Sequence, residues 1–108
     1  MKLVELISYF RNSGSYENFC CSESLDLKSE VVEIYMEAPL SLNNELMFFE
    51  IEKTDGKFKY VFGNTEYFNF VDFFFFLDFI KESNNDNNKL FSDAEIADRL
   101  LSYVINDA

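Results

Sequence analysis

Four consecutive phenylalanines, Phe73 to Phe76, stand inside an apolar stretch that runs from Phe70 to Ile80 and contains two charged residues, Asp72 and Asp78. On a helical wheel, one arc of this stretch is wholly apolar and is wide enough to pack a helix onto a sheet. That arc holds Phe70, Phe73, Phe76, Leu77 and Ile80. The opposite arc also carries apolar side chains, namely Val71, Phe74, Phe75 and Phe79. A helix predicted over residues 67–83 therefore needs cover on two sides, and the second cover is either the first or last helix of this chain or a partner.

The chain is long enough to form one such core and too short for two. Its 108 residues are 48% hydrophobic, with 14 Phe, 6 Tyr and no Trp, which is the composition of a chain that folds alone. We expect a single globular domain over residues 1–108. The apolar stretch is too short and too charged to cross a bilayer, and the first residues lack the apolar segment of a signal peptide. The composition predicts a cytoplasmic protein.

Two segments of the first half have the periodicity of regular structure. Residues 3–10 carry apolar side chains at helical spacing and predict a short first helix. Residues 30–37 have two interpretations, because a strand would place Val32, Ile34 and Met36 on one face, whereas a helix would align three glutamates instead. The β-branched content and Pro39 just beyond favour the strand.

The pair Asp55-Gly56 lies between two runs of strand-forming residues, 46–52 and 57–62, and is a strong signal for a tight hairpin. Together with residues 30–37, these runs predict a three-stranded antiparallel meander. We therefore predict an α+β fold, in which N-terminal, central and C-terminal helices pack on a small antiparallel sheet with the Asp-Gly hairpin at its centre.

The last helix has the clearest start signal in the chain. Ser92 and Glu95 form an S-x-x-E capping box, and Phe91 and Ile96 stand at the two staple positions. The polar run from Asn84 to Asn88 has no core-forming residue and predicts the loop before this helix.

Charge is distributed unevenly along the sequence. The formal net charge is −11, and residues 12–52 contribute −8 of it, since they hold nine acidic side chains against Lys28. The bases Lys53, Lys57 and Lys59 follow directly. A chain this acidic is repelled by nucleic acids and by anionic membranes and is attracted to basic proteins. The acidic segment is either a solvated face or a docking surface for a basic cleft.

The sequence offers little catalytic chemistry. It contains no histidine, so imidazole bases, Ser-His and Cys-His pairs and imidazole metal sites are all excluded. Cys20 and Cys21 are adjacent in the chain. Adjacent cysteines do not form an unstrained disulfide and do not have the spacing of a zinc site, so we predict that both are small buried residues. The three glycines are too far apart for a phosphate-binding loop. We expect a protein that is not an enzyme and uses no cofactor or metal.

These features resemble the immunity proteins of contact-dependent growth inhibition and related bacterial polymorphic toxin systems. The resemblance extends over the whole chain and rests on size, acidity, richness in Phe and Asn, and a mixed helix and small-sheet pattern. It implies a cytoplasmic protein that binds one toxin domain, often a basic nuclease, and occludes its active site or substrate groove. The residues expected to meet the partner are Glu23, Asp26, Glu30, Glu33, Glu37, Asp72, Phe75 and Asp78.

Two other classes of function fit the same sequence. A nucleic-acid mimic that inhibits a DNA-binding enzyme, of the anti-restriction or anti-CRISPR type, accounts equally well for the charge. It differs from an immunity protein in tolerating several unrelated targets. An adaptor subunit of a larger complex accounts for the aromatic stretch, and it predicts that the face formed by Phe74, Phe75 and Phe79 is buried in a stable oligomer.

Overall fold

The structure, a computed structural model, describes residues 1–84 and 91–107. Its elements are α1 Leu3–Arg11, α2 Tyr16–Ser22, β1 Val32–Met36, β2 Met47–Glu50, α3 Ile51–Thr54, β3 Lys59–Phe62, β4 Thr65–Asp72, α4 Phe73–Asn84 and α5 Asp93–Asp107. The α+β class, the first helix, the strand within residues 30–37 and the last helix are confirmed. Both capping-box hydrogen bonds are present, from Ser92 N–H to Glu95 Oε1 (3.0 Å) and from Glu95 N–H to Ser92 Oγ (3.1 Å). Residues 85–90, which include most of the predicted polar loop, lie outside the described residues.

The sheet has four strands where the sequence predicted about three. Their order is β2-β1-β4-β3, and every neighbouring pair is antiparallel. The tight hairpin joins β3 to β4 through Gly63 and Asn64, whose φ angles are 58° and 69°. Two successive residues with positive φ form the turn that best matches the twist of paired strands. β1 and β4 are therefore the two central strands, and β2 and β3 lie at opposite edges.

The predicted Asp-Gly hairpin is not observed, because residues 51–54 coil into one helical turn between β2 and β3. Asp55 and Gly56 do adopt the positive φ angles that such a hairpin requires, 55° and 68°. They end α3 instead, with Asp55 N–H donating to Ile51 O at 2.8 Å, as left-handed residues do after a helix. The side chain of Thr54 fixes this turn by donating to the buried Glu33 on β1.

The helix predicted over residues 67–83 begins later than expected. Residues 65–72 form β4, and α4 starts at Phe73. The alternating aromatic and polar residues after the Gly63 turn pair with β3, and this pairing overrides the helical pattern. Helix α2, Tyr16–Ser22, lies in a segment whose apolar residues have neither helical nor strand spacing. Ser15 caps this helix by accepting a hydrogen bond from Asn18 N–H (3.1 Å).

The main core lies between the helices and one face of the sheet. Its fully buried side chains include Leu6, Ile7, Ile34, Met36, Phe73, Phe76, Ile96 and Leu100. The second side of α4 is covered from within the chain, because Tyr103 of α5 stacks on Phe75 (centroids 5.5 Å apart) and contacts Phe79 (6.4 Å). Phe74 remains 47% exposed beside Tyr16.

The opposite face of the sheet holds a second, smaller core. Phe49 on β2 contacts Tyr60 (4.9 Å between centroids) and Phe62 (5.4 Å) on β3, although these strands are the two edges of the sheet. Tyr35 on β1 packs against the same Phe49 ring at 5.5 Å. The sheet is therefore curled, and its concave face is filled with aromatic side chains.

None of the helices in the described ranges is long and apolar enough to cross a membrane.

Candidate binding site

The acidic loop, defined here as residues 23–30, connects α2 to the sheet. It begins where α2 ends, with Leu25 N–H donating to Cys20 O at 2.8 Å. Within the loop, Asp26 accepts from Lys28 N–H through its side chain (2.9 Å) and from Ser29 N–H through its carbonyl (3.0 Å). Its three acidic side chains, Glu23, Asp26 and Glu30, are exposed.

Two glutamates at the end of β2 and the start of α3 fix this loop. Glu50 accepts from Asp26 N–H (2.9 Å) and forms an ion pair with Lys53 (3.0 Å). Glu52 accepts from Ser29 Oγ (2.5 Å) and from Glu30 N–H (2.9 Å). The loop is therefore held by carboxylates at its middle and at its C-terminal end, which reduces the conformational entropy lost on binding. In the sequence, both glutamates are visible only as part of the acidic excess of residues 12–52, because their structural role depends on tertiary contacts.

The hydrogen bonds to Glu52 also affect its ionisation. The Ser29 hydroxyl and the Glu30 amide hold the pKa of the Glu52 carboxyl below its usual value of 4.5. Because the pKa is lower in the folded chain than in the unfolded one, this carboxylate contributes stability above pH 4.5 and loses it as the pH falls through the folded value.

We expect the acidic loop to loosen at acid pH with a midpoint below 4.5. Amide chemical shifts of Ser29 and Glu30, followed by NMR during a titration from neutral to acid pH, measure this transition. In Glu52→Gln the side chain no longer titrates, so the same amides should lack that transition. An unchanged transition of the Ser29 and Glu30 amides in this variant would contradict the described hydrogen bonds to Glu52.

Of the other predicted contact residues, Asp72 is exposed at the end of the sheet where the acidic loop lies. It pairs with Glu33 on β1, next to the pair of Val32 with Glu50, so Asp72 and the loop share one end of the sheet. Its carboxylate accepts from Phe75 N–H at 2.8 Å and so caps the start of α4.

The remaining predicted contact residues do not join this surface. Glu33 is 7% exposed and accepts from Asn69 Nδ2 (2.7 Å) and Thr54 Oγ1 (3.0 Å), so its carboxylate faces the second core. Glu37 follows the far end of β1. Phe75 is half-buried against Tyr103, and Asp78 is exposed farther along α4. The structure thus places Glu23, Asp26 and Glu30 on one loop and Asp72 at the same end of the sheet.

A groove of about 320 Å³ adjoins the acidic loop along β2. It extends from Glu23 and Leu25 past Phe49 to Tyr60 and Phe62. Aromatic side chains therefore lie beside an acidic margin, and protein interfaces commonly combine an aromatic centre with a polar rim.

Comparisons of the chain with protein-family models, curated proteins and solved structures found no match.

The cysteines differ from the sequence expectation, since Cys20 is buried and Cys21 is exposed, and both are free thiols. Burial raises the pKa of the Cys20 thiol, which disfavours the thiolate. Within residues 1–84 and 91–107, no group of three or more cysteine or acidic side chains is arranged to hold a metal ion.

Proposed function

We propose that this chain is a binding protein that neutralises a basic partner, a toxin domain of nuclease type, by laying the acidic loop over the partner's active site or substrate groove. The observation that carries the proposal is the fixation of the loop by Glu50 and Glu52, which keeps Glu23, Asp26 and Glu30 exposed on an ordered backbone.

The mechanism follows from the charge of these residues. The three carboxylates take the positions of substrate phosphates and pair with Lys and Arg of the nucleic-acid groove, bidentately where Arg is involved. Exposed acids at the rim chiefly set the association rate and its salt dependence, whereas the aromatic groove beside β2 provides the desolvated contacts that slow dissociation.

Identification of the partner is the first experiment. The tagged chain is used to capture proteins from its host, including products of neighbouring genes, with low-salt and then high-salt washes. One basic fragment retained in near one-to-one amount, whose nuclease activity this chain abolishes, supports the proposal. Several unrelated DNA-binding proteins that elute with salt would favour the nucleic-acid mimic instead.

Reversal of charge in the acidic loop should slow association. For the double variant Glu23→Lys/Glu30→Lys, we expect an association rate lower by about tenfold or more at low salt, because long-range attraction to a basic partner is lost. Stopped-flow kinetics over a range of salt concentrations measures this effect. The matched control is Glu82→Lys/Asp98→Lys, which changes the net charge equally on the exposed faces of α4 and α5. Equal slowing in both variants would remove the acidic loop from the proposal.

A further inference from the structure

The edge strand β3 leaves large apolar side chains in solvent. Val61 is 62% exposed and Phe62 is 52% exposed, and Phe58 immediately before the strand is 63% exposed. An open edge with apolar side chains is a template for another strand, and proteins usually protect such edges with charge, proline or cover. The charged side chains at this edge are those of Lys57 and Lys59.

The pairing of β3 with β4 determines which backbone groups remain open. Asn69 N–H donates to Phe58 O at 2.8 Å, so Phe58 is a hydrogen-bonded position of this antiparallel pair. Such positions alternate with positions whose N–H and C=O point away from the neighbouring strand. Tyr60 lies two residues after Phe58, so its backbone groups are likewise hydrogen-bonded to β4. Lys59 and Val61 occupy the alternate positions, so their backbone N–H and C=O groups face the open edge.

We propose that β3 is a self-association edge, at which two copies of this chain pair antiparallel about a two-fold axis through Tyr60. This register places Lys59 of each copy opposite Val61 of the other. All the outward N–H and C=O groups of these two residues are then hydrogen-bonded. A register centred on Val61 would instead bond that residue to its counterpart and leave Lys59 opposite Gly63, so the Tyr60-centred register makes more hydrogen bonds.

Charge favours the same register. Within one chain, Val61 pairs with Glu66 on β4. In the proposed dimer, Lys59 of the second copy pairs with the other side of Val61, so β3 separates this lysine from Glu66. The lysine side chain is long enough to extend over the small valine towards the carboxylate of Glu66. No acidic residue lies on β3. Two chains of net charge −11 therefore meet here without acid facing acid.

Aromatic rings on the concave side of the sheet also favour the register centred on Tyr60. Tyr60 pairs with Tyr67 within each chain. Pairing at Tyr60 joins the two copies into one row of four tyrosines, and adjacent aromatic cross-strand pairs stabilise antiparallel sheets.

The oligomeric state in solution tests the inference. Sedimentation equilibrium of the full chain should show the mass rising from 12.7 kDa towards twice that value as the concentration increases. Val61→Lys places a lysine directly opposite Lys59 of the second copy, and we expect it to raise the dimer dissociation constant by about tenfold or more. Ile105→Lys makes the same change at another exposed aliphatic residue, on α5, and should leave dimerisation unchanged. A chain that is monomeric at every concentration, or equal effects of the two variants, would overturn the inference.

Backbone hydrogen exchange identifies the edge independently of mass. The amides of Lys59 and Val61 should become protected as the chain concentration increases, whereas that of Tyr60 should be protected throughout. Salt separates this inference from the proposed function, because screening strengthens association between two chains of like charge and weakens binding to a basic partner. Protection of Lys59 and Val61 that follows the addition of a different protein, and not chain concentration, would contradict self-association.

Discussion

Replacement of Phe73 by alanine should lower the free energy of unfolding by roughly 3–5 kcal/mol, which is a large share of the stability of a small domain. Phe73 is fully buried at the start of α4 and lies where three elements converge on the sheet. Its ring contacts those of Phe10 (5.5 Å) on α1, Phe19 (5.2 Å) on α2 and Phe48 (6.1 Å) on β2. Removal of the ring therefore opens a cavity that no single element can fill by moving.

The adjacent Phe74 provides a matched control. It has the same side chain in the same turn of α4 but is about half exposed and contacts the ring of Tyr16. Phe74→Ala should cost about 1 kcal/mol or less, since the ring loses little buried area. Urea denaturation of both variants measures the difference. Equal losses would mean that the described orientation of α4 is wrong.

Glu33→Ala should lower the free energy of unfolding by roughly 2–4 kcal/mol, because each buried donor left without a partner costs about 1–3 kcal/mol. The donors at 3.0 Å or less are Asn69 Nδ2 on β4 and Thr54 Oγ1 on α3, and the hydroxyl of Tyr35 lies farther away, at 3.5 Å. The Glu33 carboxylate thus joins β1 to β4 and to the helical turn before β3. Its loss should loosen the concave side of the sheet.

Glu37→Ala is the control for this prediction, because Glu37 has the same side chain and is exposed just beyond the other end of β1. We expect its stability to lie within about 0.5 kcal/mol of wild type. Thermal unfolding followed by circular dichroism compares the two variants. A Glu33→Ala protein as stable as Glu37→Ala would contradict the hydrogen-bond network at Glu33.

The sequence predicts those parts of the fold whose signals are local. The α5 start at Ser92 and Glu95 and the apolar spacing of α1 depend on residues within one or two turns, and both are confirmed. Asp55 and Gly56 show the limit of local reasoning, since the same positive φ angles serve a hairpin or the end of a helix. Contacts with distant Glu33 decide between these uses, and a local pattern does not contain them.

The start of α4 was mispredicted for a related reason. A run such as Phe73 to Phe76 has no period, so it does not distinguish a strand from a helix. Pairing of residues 65–72 with β3 and β1 decides where the strand ends. Asp72 then caps the helix that follows.

The candidate site was partly predictable. The excess of acid in residues 12–52 indicates the region, and Glu23, Asp26 and Glu30 do lie together on an exposed loop. Alternation within β1 places Glu33 on the face opposite Val32 and Ile34, but the sequence does not reveal that this face is also covered. The cover comes from α3 and from the curl that brings Phe49 onto Tyr60, and both depend on tertiary structure.

The hairpin at Gly63 and Asn64 has a consequence for the order of folding. It closes a two-residue loop, whereas the pairing of β1 with β4 joins Glu33 to Asp72, and the ion pair between α1 and α5 joins Arg11 to Asp93. The entropy lost in closing a loop increases with its length, and short hairpins form within about 1–10 μs. We therefore expect the β3–β4 hairpin to form first and the β1–β2 pair, which closes the shorter loop from Tyr35 to Met47, to form next. The pairing of β1 with β4 and the contact between the first and last helices should follow.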